Sequence, residues 1–446
     1  MVEVLDAPAA AGSDAVAHLL DRARGLAERL PGARHPVVAA WRARGAETFA
    51  SQGFPTRRVE AWKYTDLALL RETRFEEPIL AADIRPPLDL EEEEGPLLVL
   101  IDGRVRRDLS AVSHLAPGVA IASLADLLRA RDEETVAGLG GLAPETLPLP
   151  ALNAALAEDG AVVRIADGVD GGTIRILSYA TARAGHPVAF HPRHLIRLGR
   201  GARLVLVEEA RGEPEAFAWQ NVVSEIQLGP GARLIHIRLQ DEPLSAVHTA
   251  TLAVRVEQGA EYDSFTLIKG ARLTRNEVHA VLAGPHAALH LNGAQLVDGV
   301  RHADTTTVIE HAAPDCASRQ TVKTVLAGRA RGVFQGKIHV HRAAQKTDGY
   351  QMNQALLLSP EAEIDAKPQL EIYADDVKCS HGATVGELDL EALFYLRSRG
   401  IPEAEAKSIL VQAFLDDAVS LVADEGLRER LHAETLAWWQ RVEHGG

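Results

Sequence analysis

The chain has 446 residues, of which 46% are hydrophobic, 24% charged and only 4% aromatic, and its formal net charge is −15. This acidic balance and the scarcity of aromatic rings argue against nucleic acid and against an anionic membrane surface as partners. The two cysteines exclude a disulfide framework and fit a reducing compartment. The first residues lack the features of a signal peptide, and no apolar run approaches the roughly 20 residues of a membrane span, so we expect a soluble cytoplasmic protein.

Residues 1–95 are predicted to form an N-terminal helical region. Apolar side chains within residues 16–30 recur at spacings of three and four residues, which places them on one helical face, and Ser13 or Asp14 is available as the N-cap. A second segment with helical periodicity follows around Trp41. This part of the chain is therefore expected to contain at least two amphipathic helices.

Two stretches of the same region lack a helical period. Residues 57–67 (RRVEAWKYTDL) are predicted to form a loop. The acidic run at residues 91–94 is predicted to be a solvated surface turn between segments, because like charges in a row repel one another and favour exposure.

Residues 96–159 are predicted to form a mixed region that leads into the core. Residues 97–106 have the pattern of a β-hairpin, with the Asp-Gly pair at residues 102–103 as its turn. Residues 123–158 return to helical periodicity and are interrupted by a stretch rich in glycine and proline at residues 138–150.

From residue 160 to residue 386, short β-rich runs replace the helical periodicity and one turn phrase recurs. The phrase joins an apolar residue, a glycine turn, an alanine and a charged residue, and each copy precedes a strand of alternating polarity. Its copies are LGRGAR at 198–203, LGPGAR at 228–233, VEQGAE at 256–261, and the weaker LAGRAR at 326–331 and LSPEAE at 358–363. A repeat near 30 residues indicates stacked coils that share one core.

The predicted fold is mainly β, with a right-handed parallel β-helix core flanked by N-terminal and C-terminal α-helical regions. A β-sandwich is the alternative, but it would not repeat one phrase at a constant interval. Residues 387–446 are predicted to form a C-terminal helical domain, in which Gly400-Ile401-Pro402 ends one helix and starts the next. An apolar stripe follows on that next helix, made of Ile409, Leu410, Ala413, Phe414, Ala418, Leu421 and Val422.

The side chains best suited to chemistry lie just before this domain. Cys379 and His381 are two residues apart, so on a strand they share one face, and a thiolate and an imidazole are suitable donors for iron. Lys378 would favour the thiolate, although its side chain points to the opposite face. The residue types alone nevertheless favour a buried structural cysteine beside a hydrogen-bonded histidine.

Other candidate sites are weaker. His339 and His341 repeat the same-face spacing without a third ligand nearby, so two solvent-facing or stacked imidazoles are the preferred interpretation. Looser still are His302 with Asp304, and His311 with Asp315 and Cys316. The sequence has no phosphate-binding glycine loop of the G-x-x-x-x-G-K-[ST] kind, no dinucleotide fingerprint and no nucleophile elbow, so no bound nucleotide and no catalytic site are expected.

Three stretches resemble one protein family. The longest is residues 348–401, which contains the run DDVKCSHGATVG, and the others are residues 57–67 and residues 148–160 (PLPALNAALAEDG). They resemble the SufB/SufD family of iron–sulfur cluster assembly proteins, and the run around Cys379 is similar to the SufD branch rather than the SufB branch. The resemblance extends over almost the whole chain.

The resemblance implies a non-catalytic scaffold subunit. Such proteins pair with a SufB subunit through their β-helices and bind the ABC-type ATPase SufC through their C-terminal helices, and a homodimer is possible without SufB. Sulfur comes from a cysteine desulfurase and its sulfur shuttle, and the complex is linked with iron acquisition and with a reduced flavin. A transient cluster or iron at the SufB interface would be bound by His381, with Cys379 beside it. The residues implied to contact SufC are Gly400, Ile401, Pro402, Ile409, Leu410, Ala413 and Phe414.

Two rival functions remain open. A SufB-like paralogue would need more cysteines than the two present, for persulfide and cluster handling. A β-helical enzyme acting on polysaccharide would need clustered carboxylates, aromatic platforms for sugars and usually a secretion signal. Because two cysteines cannot hold a cluster alone, a thiolate and an imidazole at a shared interface would complete the ligand set of another chain.

Overall fold

The computed structural model describes residues 11–79, 86, 95–181 and 186–443. Its centre is a parallel β-solenoid, in which the chain alternates between two long sheets, and helices lie before and after it. This confirms the predicted class, a mainly β fold with a parallel β-helix core and helical flanks, whereas the handedness of the coil stays a prediction. The acidic run at residues 91–94 lies outside the described residues.

The strands of the first sheet pair in the order β2-β1-β5-β8-β10-β12-β14-β16-β18-β20. They are β1 (Leu97–Ile101), β2 (Arg104–Val105), β5 (Asp170–Ala180), β8 (Arg203–Gly212), β10 (Arg233–Asp241), β12 (Glu261–Ile268), β14 (Ala288–Val297), β16 (Ala317–Leu326), β18 (Asp348–Leu357) and β20 (Lys378–Gly386). Apart from the β1–β2 hairpin, all of these neighbours are parallel.

The second sheet has the order β19-β17-β15-β13-β11-β9-β7-β4-β3, with β6 paired to β9. Its strands are β3 (Val119–Ser123), β4 (Ala161–Ile165), β6 (Val188–Phe190), β7 (Arg193–Leu198), β9 (Ala218–Leu228), β11 (Val247–Val256), β13 (Leu273–Leu282), β15 (His302–His311), β17 (Arg331–Val340) and β19 (Glu363–Ile372). Aliphatic side chains from both sheets fill the space between them and form the main core.

The glycine turns set the coil period. Gly201, Gly231 and Gly259 have φ values of 63°, 70° and 63°, a region that glycine enters without the steric cost of a Cβ atom. These three turns lead from the second sheet to the first, and a strand follows each of them, as the repeat predicted. The weaker copies at 326–331 and 358–363 lie at the opposite corner and lead from the first sheet to the second. Their grouping with the other three as one repeated position was therefore wrong.

Nine helices are present among the described residues. They are α1 (Ala11–Leu26), α2 (Pro36–Gln52), α3 (Ala68–Glu72), α4 (Leu124–Ala130), α5 (Glu133–Gly138), α6 (Pro148–Leu156), α7 (Leu390–Ser398), α8 (Glu403–Val419) and α9 (Glu425–Glu443). The N-cap prediction was wrong, because Ser13 and Asp14 lie inside α1. None of the helices in the described part of the chain is long and apolar enough to cross a membrane.

The hairpin prediction is confirmed. Asp102 and Gly103 both have positive φ, 47° and 80°, which matches the twist of a two-residue hairpin turn. The hairpin also begins the solenoid, because β1 pairs in parallel with β5 and so becomes the first long rung of the first sheet.

The loop predicted at residues 57–67 lies on the outer face of the second sheet. It contains one 3₁₀ turn, and its buried Trp62 lies under the Arg275 guanidinium, 3.9 Å from the ring centroid. Arg275 Nη1 donates to Asp304 Oδ2 at 2.6 Å, and Thr65 donates to the same carboxylate. The motif therefore anchors the N-terminal region to the solenoid.

The C-terminal helices pack on the outer face of the first sheet. Val411 and Leu415 of α8 and Trp438 of α9 are buried against outward-facing side chains such as Leu239 and Leu267. This packing places the C-terminal domain along the side of the solenoid and leaves its last coil uncovered by α8 and α9.

Candidate functional site

The last coil of the solenoid is open. Within the described residues, β19 and β20 are the terminal strands of their sheets, and each hydrogen-bonds to one neighbouring strand. Their inward-facing side chains are exposed, because no further coil covers them: Val385 is 54% exposed, whereas its register partner Ala355 is 3% exposed. Likewise, Ile372 is 40% exposed above the fully buried Val340. We call this surface the open rim, defined by β19 and β20.

Cys379 and His381 both lie on β20, and their spacing puts them on one face of it. Cys379 is half-buried beside Ile338, and it is aligned with Gly349 of β18. His381 is exposed, although its register partner Gln351 is fully buried. The structure therefore brings the thiol and the imidazole together at the open rim.

The surroundings of Cys379 favour the protonated thiol. Burial raises the pKa of Cys379, the negative charge of Asp348 raises it further, and a backbone hydrogen bond from Gly349 opposes both. The expectation that Lys378 favours the thiolate was therefore wrong, since Lys378 is not among the groups that shift the pKa of Cys379. A metal ion would have to displace the proton, so binding at this thiol is favoured by higher pH.

No group of three His, Cys, Asp or Glu side chains able to hold a metal ion occurs among the residues that the structure describes. Cys379 and His381 supply two donors, which is half of the four ligands of a conventional iron–sulfur cluster. The rim pair thus has the chemistry of a partial ligand set.

His339 and His341 contact each other edge to face on the outer side of the second sheet, with their ring planes at 75°. Their ring centroids are 4.6 Å apart. His339 Nδ1 lies 3.1 Å from Glu371 Oε2, and His341 Nε2 lies 3.2 Å from Glu310 Oε2. Each imidazole therefore has a carboxylate partner.

The looser metal-site candidates around His302 and His311 are buried and hydrogen-bonded within the fold. His302 Nε2 bonds Thr65 Oγ1 at 3.0 Å, and burial lowers the pKa of His302 to about 4. His311 Nε2 bonds Ser318 Oγ at 2.9 Å, and burial also lowers the His311 pKa to about 4. Cys316 is buried and its thiol donates to a backbone carbonyl, while burial raises its pKa. These groups serve the packing of the coils.

The junction between α7 and α8 lies where the sequence predicted it. Gly400 has φ 87° after the end of α7, and Pro402 is the N-cap of α8. The apolar stripe, however, does not form a single buried face, because Ala418 on α8 and Val422 after the end of α8 are buried, whereas Ile409 on α8 is 41% exposed. Ala413 and Leu421 are exposed as well, and Leu410 and Phe414 are half-buried.

One exposed surface was missed by sequence reasoning. On α7, Leu390 and Phe394 are each 74% exposed and Tyr395 is 57% exposed. Three large apolar side chains within six residues were a readable signal, but a helical pattern does not tell which face lies against the protein. Exposed apolar surface of this kind marks an interaction site.

Two family models match the chain. The model for the SUF system FeS cluster assembly SufBD core domain matches residues 179–414, and that for the SufBD protein N-terminal region matches residues 24–173. The first covers the solenoid coils that carry the open rim and also α7 and most of α8.

Curated relatives are similar over most of their length. The iron–sulfur cluster assembly protein SufD of Escherichia coli is 32% identical over 85% of this chain and 88% of its own length. The chloroplastic protein ABCI7 of Arabidopsis thaliana is 31% identical over 86% and 82%. An iron–sulfur cluster assembly SufBD family protein of Synechocystis is 29% identical over 90% and 91%.

Proposed function

The chain belongs to the SufBD family of iron–sulfur cluster assembly proteins, and from that premise we propose that it is a non-catalytic, SufD-type scaffold subunit. It pairs through the open rim with a SufB-type subunit and contributes Cys379 and His381 to a nascent cluster or to iron. The observation that carries the proposal is the position of these two donors, side by side on the last strand of an uncovered coil.

The open rim is suited to a second solenoid. Terminal strands expose backbone N–H and C=O groups that pair readily with another strand. The apolar side chains Ile372 and Val385 are 40% and 54% exposed there. Covering them would gain hydrophobic free energy of about 25 cal/mol per Å² of apolar surface. A second copy of this chain is the competing partner in the absence of SufB.

The ligand chemistry favours a shared cluster. One thiolate and one imidazole bind iron but leave positions that another subunit fills. A site completed only across an interface is also easily opened, which suits a scaffold that must release its product. Because burial and Asp348 raise the pKa of Cys379, the cluster forms more readily as the pH rises.

The C-terminal helices supply a second docking surface in this proposal. Leu390, Phe394 and Tyr395 are exposed on α7, and Ile409 and Ala413 are exposed on α8, which is in contact with α7. We assign this surface to a SufC-type ABC ATPase, with Gly400-Ile401-Pro402 fixing the angle between the two helices. ATP is hydrolysed by that partner. We further propose that the complex takes part in iron acquisition and receives sulfur from a desulfurase through its shuttle. It would also use a reduced flavin and lie in the cytoplasm.

Co-expression tests the two surfaces separately. The chain is produced with SufB-type and SufC-type proteins of one organism, and complexes are isolated through a tag on this chain. Ile372→Lys with Val385→Lys should release the SufB-type subunit and keep the ATPase, whereas Phe394→Glu with Ile409→Glu should do the reverse. If the unmodified chain captures neither partner, the scaffold proposal is wrong.

A ligand test uses a matched histidine. His381→Ala should assemble normally and lose cluster formation, measured by the visible absorbance of the cluster and by bound iron and sulfide. His341→Ala removes an imidazole of the neighbouring coil that is already paired with Glu310, and it should keep full yield. Equal yields from the two variants would remove His381 from the ligand set.

A further inference from the structure

A polar cleft with a volume of about 350 Å³ lies where the loop at residues 57–67 meets the second sheet. Its lining comes from that loop, from α3 and from residues at or just before the first positions of β13, β15 and β17. The sheet side is regular, because Leu273, His302 and Arg331 occupy successive rungs of one column. The loop side is held by Thr65, whose hydroxyl bonds His302 Nε2 at 3.0 Å and also bonds Asp304. The cleft is therefore preformed by the fold.

Three arginines line this cleft, and two of them lack a counter-ion among the described residues. Arg331 Nη2 lies 2.6 Å from Glu363 Oε1. Arg57 donates from Nε to the backbone oxygen of Lys63 at 3.0 Å, and its Nη1 and Nη2 have no partner in the described part of the chain. The Arg272 guanidinium has neither a hydrogen bond nor an ion pair there. Both Arg57 and Arg272 have exposed side chains, so their free donors are accessible to a ligand that enters from solution.

The acidic side chains of the lining do not cancel this charge. Asp66 is paired with Arg71 at 2.7 Å and accepts the backbone N–H of Ala68 at 3.0 Å. Glu72 is exposed and forms no ion pair within the described residues. Because burial lowers the pKa of His302 to about 4, this imidazole is neutral at pH 7. Apart from the paired groups, two guanidiniums remain against one carboxylate, so the cleft is positive in a chain of net charge −15.

We propose that the cleft binds a small phosphorylated molecule, whose phosphate accepts hydrogen bonds from Arg57 and Arg272 and whose body lies on the apolar part of the lining. A phosphate monoester carries about −1.5 to −2 charges at pH 7, which two guanidiniums balance, whereas a monocarboxylate would leave one of them unbalanced. The planar guanidinium also donates to two phosphate oxygens at once. The volume falls within the usual range of small-molecule sites. The apolar part of the lining consists of Tyr64, Leu69, Leu273 and Val300.

Titration calorimetry of the full chain with 1-naphthyl phosphate, 1-naphthol and inorganic phosphate tests the proposal without any partner subunit. The ester should bind at least tenfold more tightly than the alcohol, which shares its ring system, because hydrogen bonds between charged groups are the stronger ones. It should also bind more tightly than inorganic phosphate, which has no apolar body. Inorganic phosphate bound as tightly as the ester would contradict a phosphorylated molecule as the ligand, and no binding of the ester would overturn the proposal.

Three variants locate the site. Arg272→Met removes a guanidinium that has no partner in the described part of the fold, so it should lower the affinity for the ester tenfold or more and leave that for the alcohol unchanged. Arg203→Met is the matched control, because Arg203 is exposed at the start of β8 on the other sheet, and it should alter neither affinity. Glu72→Gln removes the unpaired carboxylate and should tighten ester binding at least twofold. Equal affinities of the ester for the unmodified chain and Arg272→Met would overturn the proposal, as would weaker binding to Glu72→Gln.

Discussion

A buried ion pair holds the N-terminal region against the first coils of the solenoid. Arg193 on β7 is fully buried, and its Nη2 lies 2.6 Å from Glu225 Oε1 on β9 and 2.8 Å from Glu145 Oε1. The same Glu225 carboxylate accepts the backbone N–H groups of Gly140, Leu142 and Ala143. One guanidinium thus orders the loop between α5 and α6.

Replacing Arg193 by methionine keeps the volume but leaves the Glu225 carboxylate buried without its cation. Breaking a buried pair in this way costs about 3–5 kcal/mol. Because about 1.4 kcal/mol corresponds to a tenfold change in an equilibrium, local opening of the loop should become roughly a hundredfold to a few thousandfold more frequent. Removing both charges in R193M/E225Q should recover part of the loss.

Amide hydrogen exchange of Leu142 and Ala143 measures this opening directly. Arg233→Met is the matched control, since its pair with Glu261 is exposed and 3.7 Å long, and such surface pairs contribute about 0–1 kcal/mol. It should leave both amides protected. If R193M exchanges these amides no faster than the control does, the ion pair does not hold the loop and the estimate is refuted.

Three further predictions concern other parts of the chain. The pKa of Glu277 is lowered to about 2, because the attraction of the neighbouring arginine and histidine outweighs burial, which raises it. The ionised carboxylate therefore stabilises the fold above the ordinary value of 4.5, and this contribution is lost as the pH falls toward 2. The free energy of unfolding of Glu277→Gln should accordingly depend less on pH between those values. Gly160→Ala would place a Cβ atom 1.8 Å from a backbone oxygen and should lower the urea midpoint, whereas Gly25→Ala, which meets nothing within 4 Å on α1, should raise helix stability by about 0.5–1 kcal/mol. Iodoacetamide should label Cys379 slowly at neutral pH and faster as the pH rises, and labelling of the buried Cys316 in the folded chain at an equal rate, seen by mass spectrometry, would contradict the assigned burial.

The coil architecture was predictable because it is encoded locally. Gly201, Gly231 and Gly259 permit a positive φ at three successive corners, and a strand of alternating polarity follows each turn, so the period is visible in the sequence alone. The hairpin at residues 97–106 and the helices α1 and α2 were predictable for the same reason. The predicted position of the weaker turn phrases in the coil was wrong, because residues with similar turn chemistry occur at both corners of a coil.

The candidate site was predictable only in part. The spacing of Cys379 and His381 determines that they share a face, but whether that face is buried depends on whether another coil follows, which is a property of the whole stack. The exposed side of α7 could likewise not be predicted from the helical pattern, because amphipathic periodicity does not identify the surface against which a helix packs.

The sequence by itself determined the repeat, the strand and helix types and the pair of donors, because these depend on backbone preferences and spacings within a few residues. Only the tertiary structure decided which groups are exposed, paired or left without a partner. Thr65 meets Asp304 across 239 positions, and Arg42 is buried by helices distant in the chain. The burial of a side chain and the electrostatic field around it depend on all such neighbours that are distant in the chain. Both are therefore set only when the coils and helices are packed together.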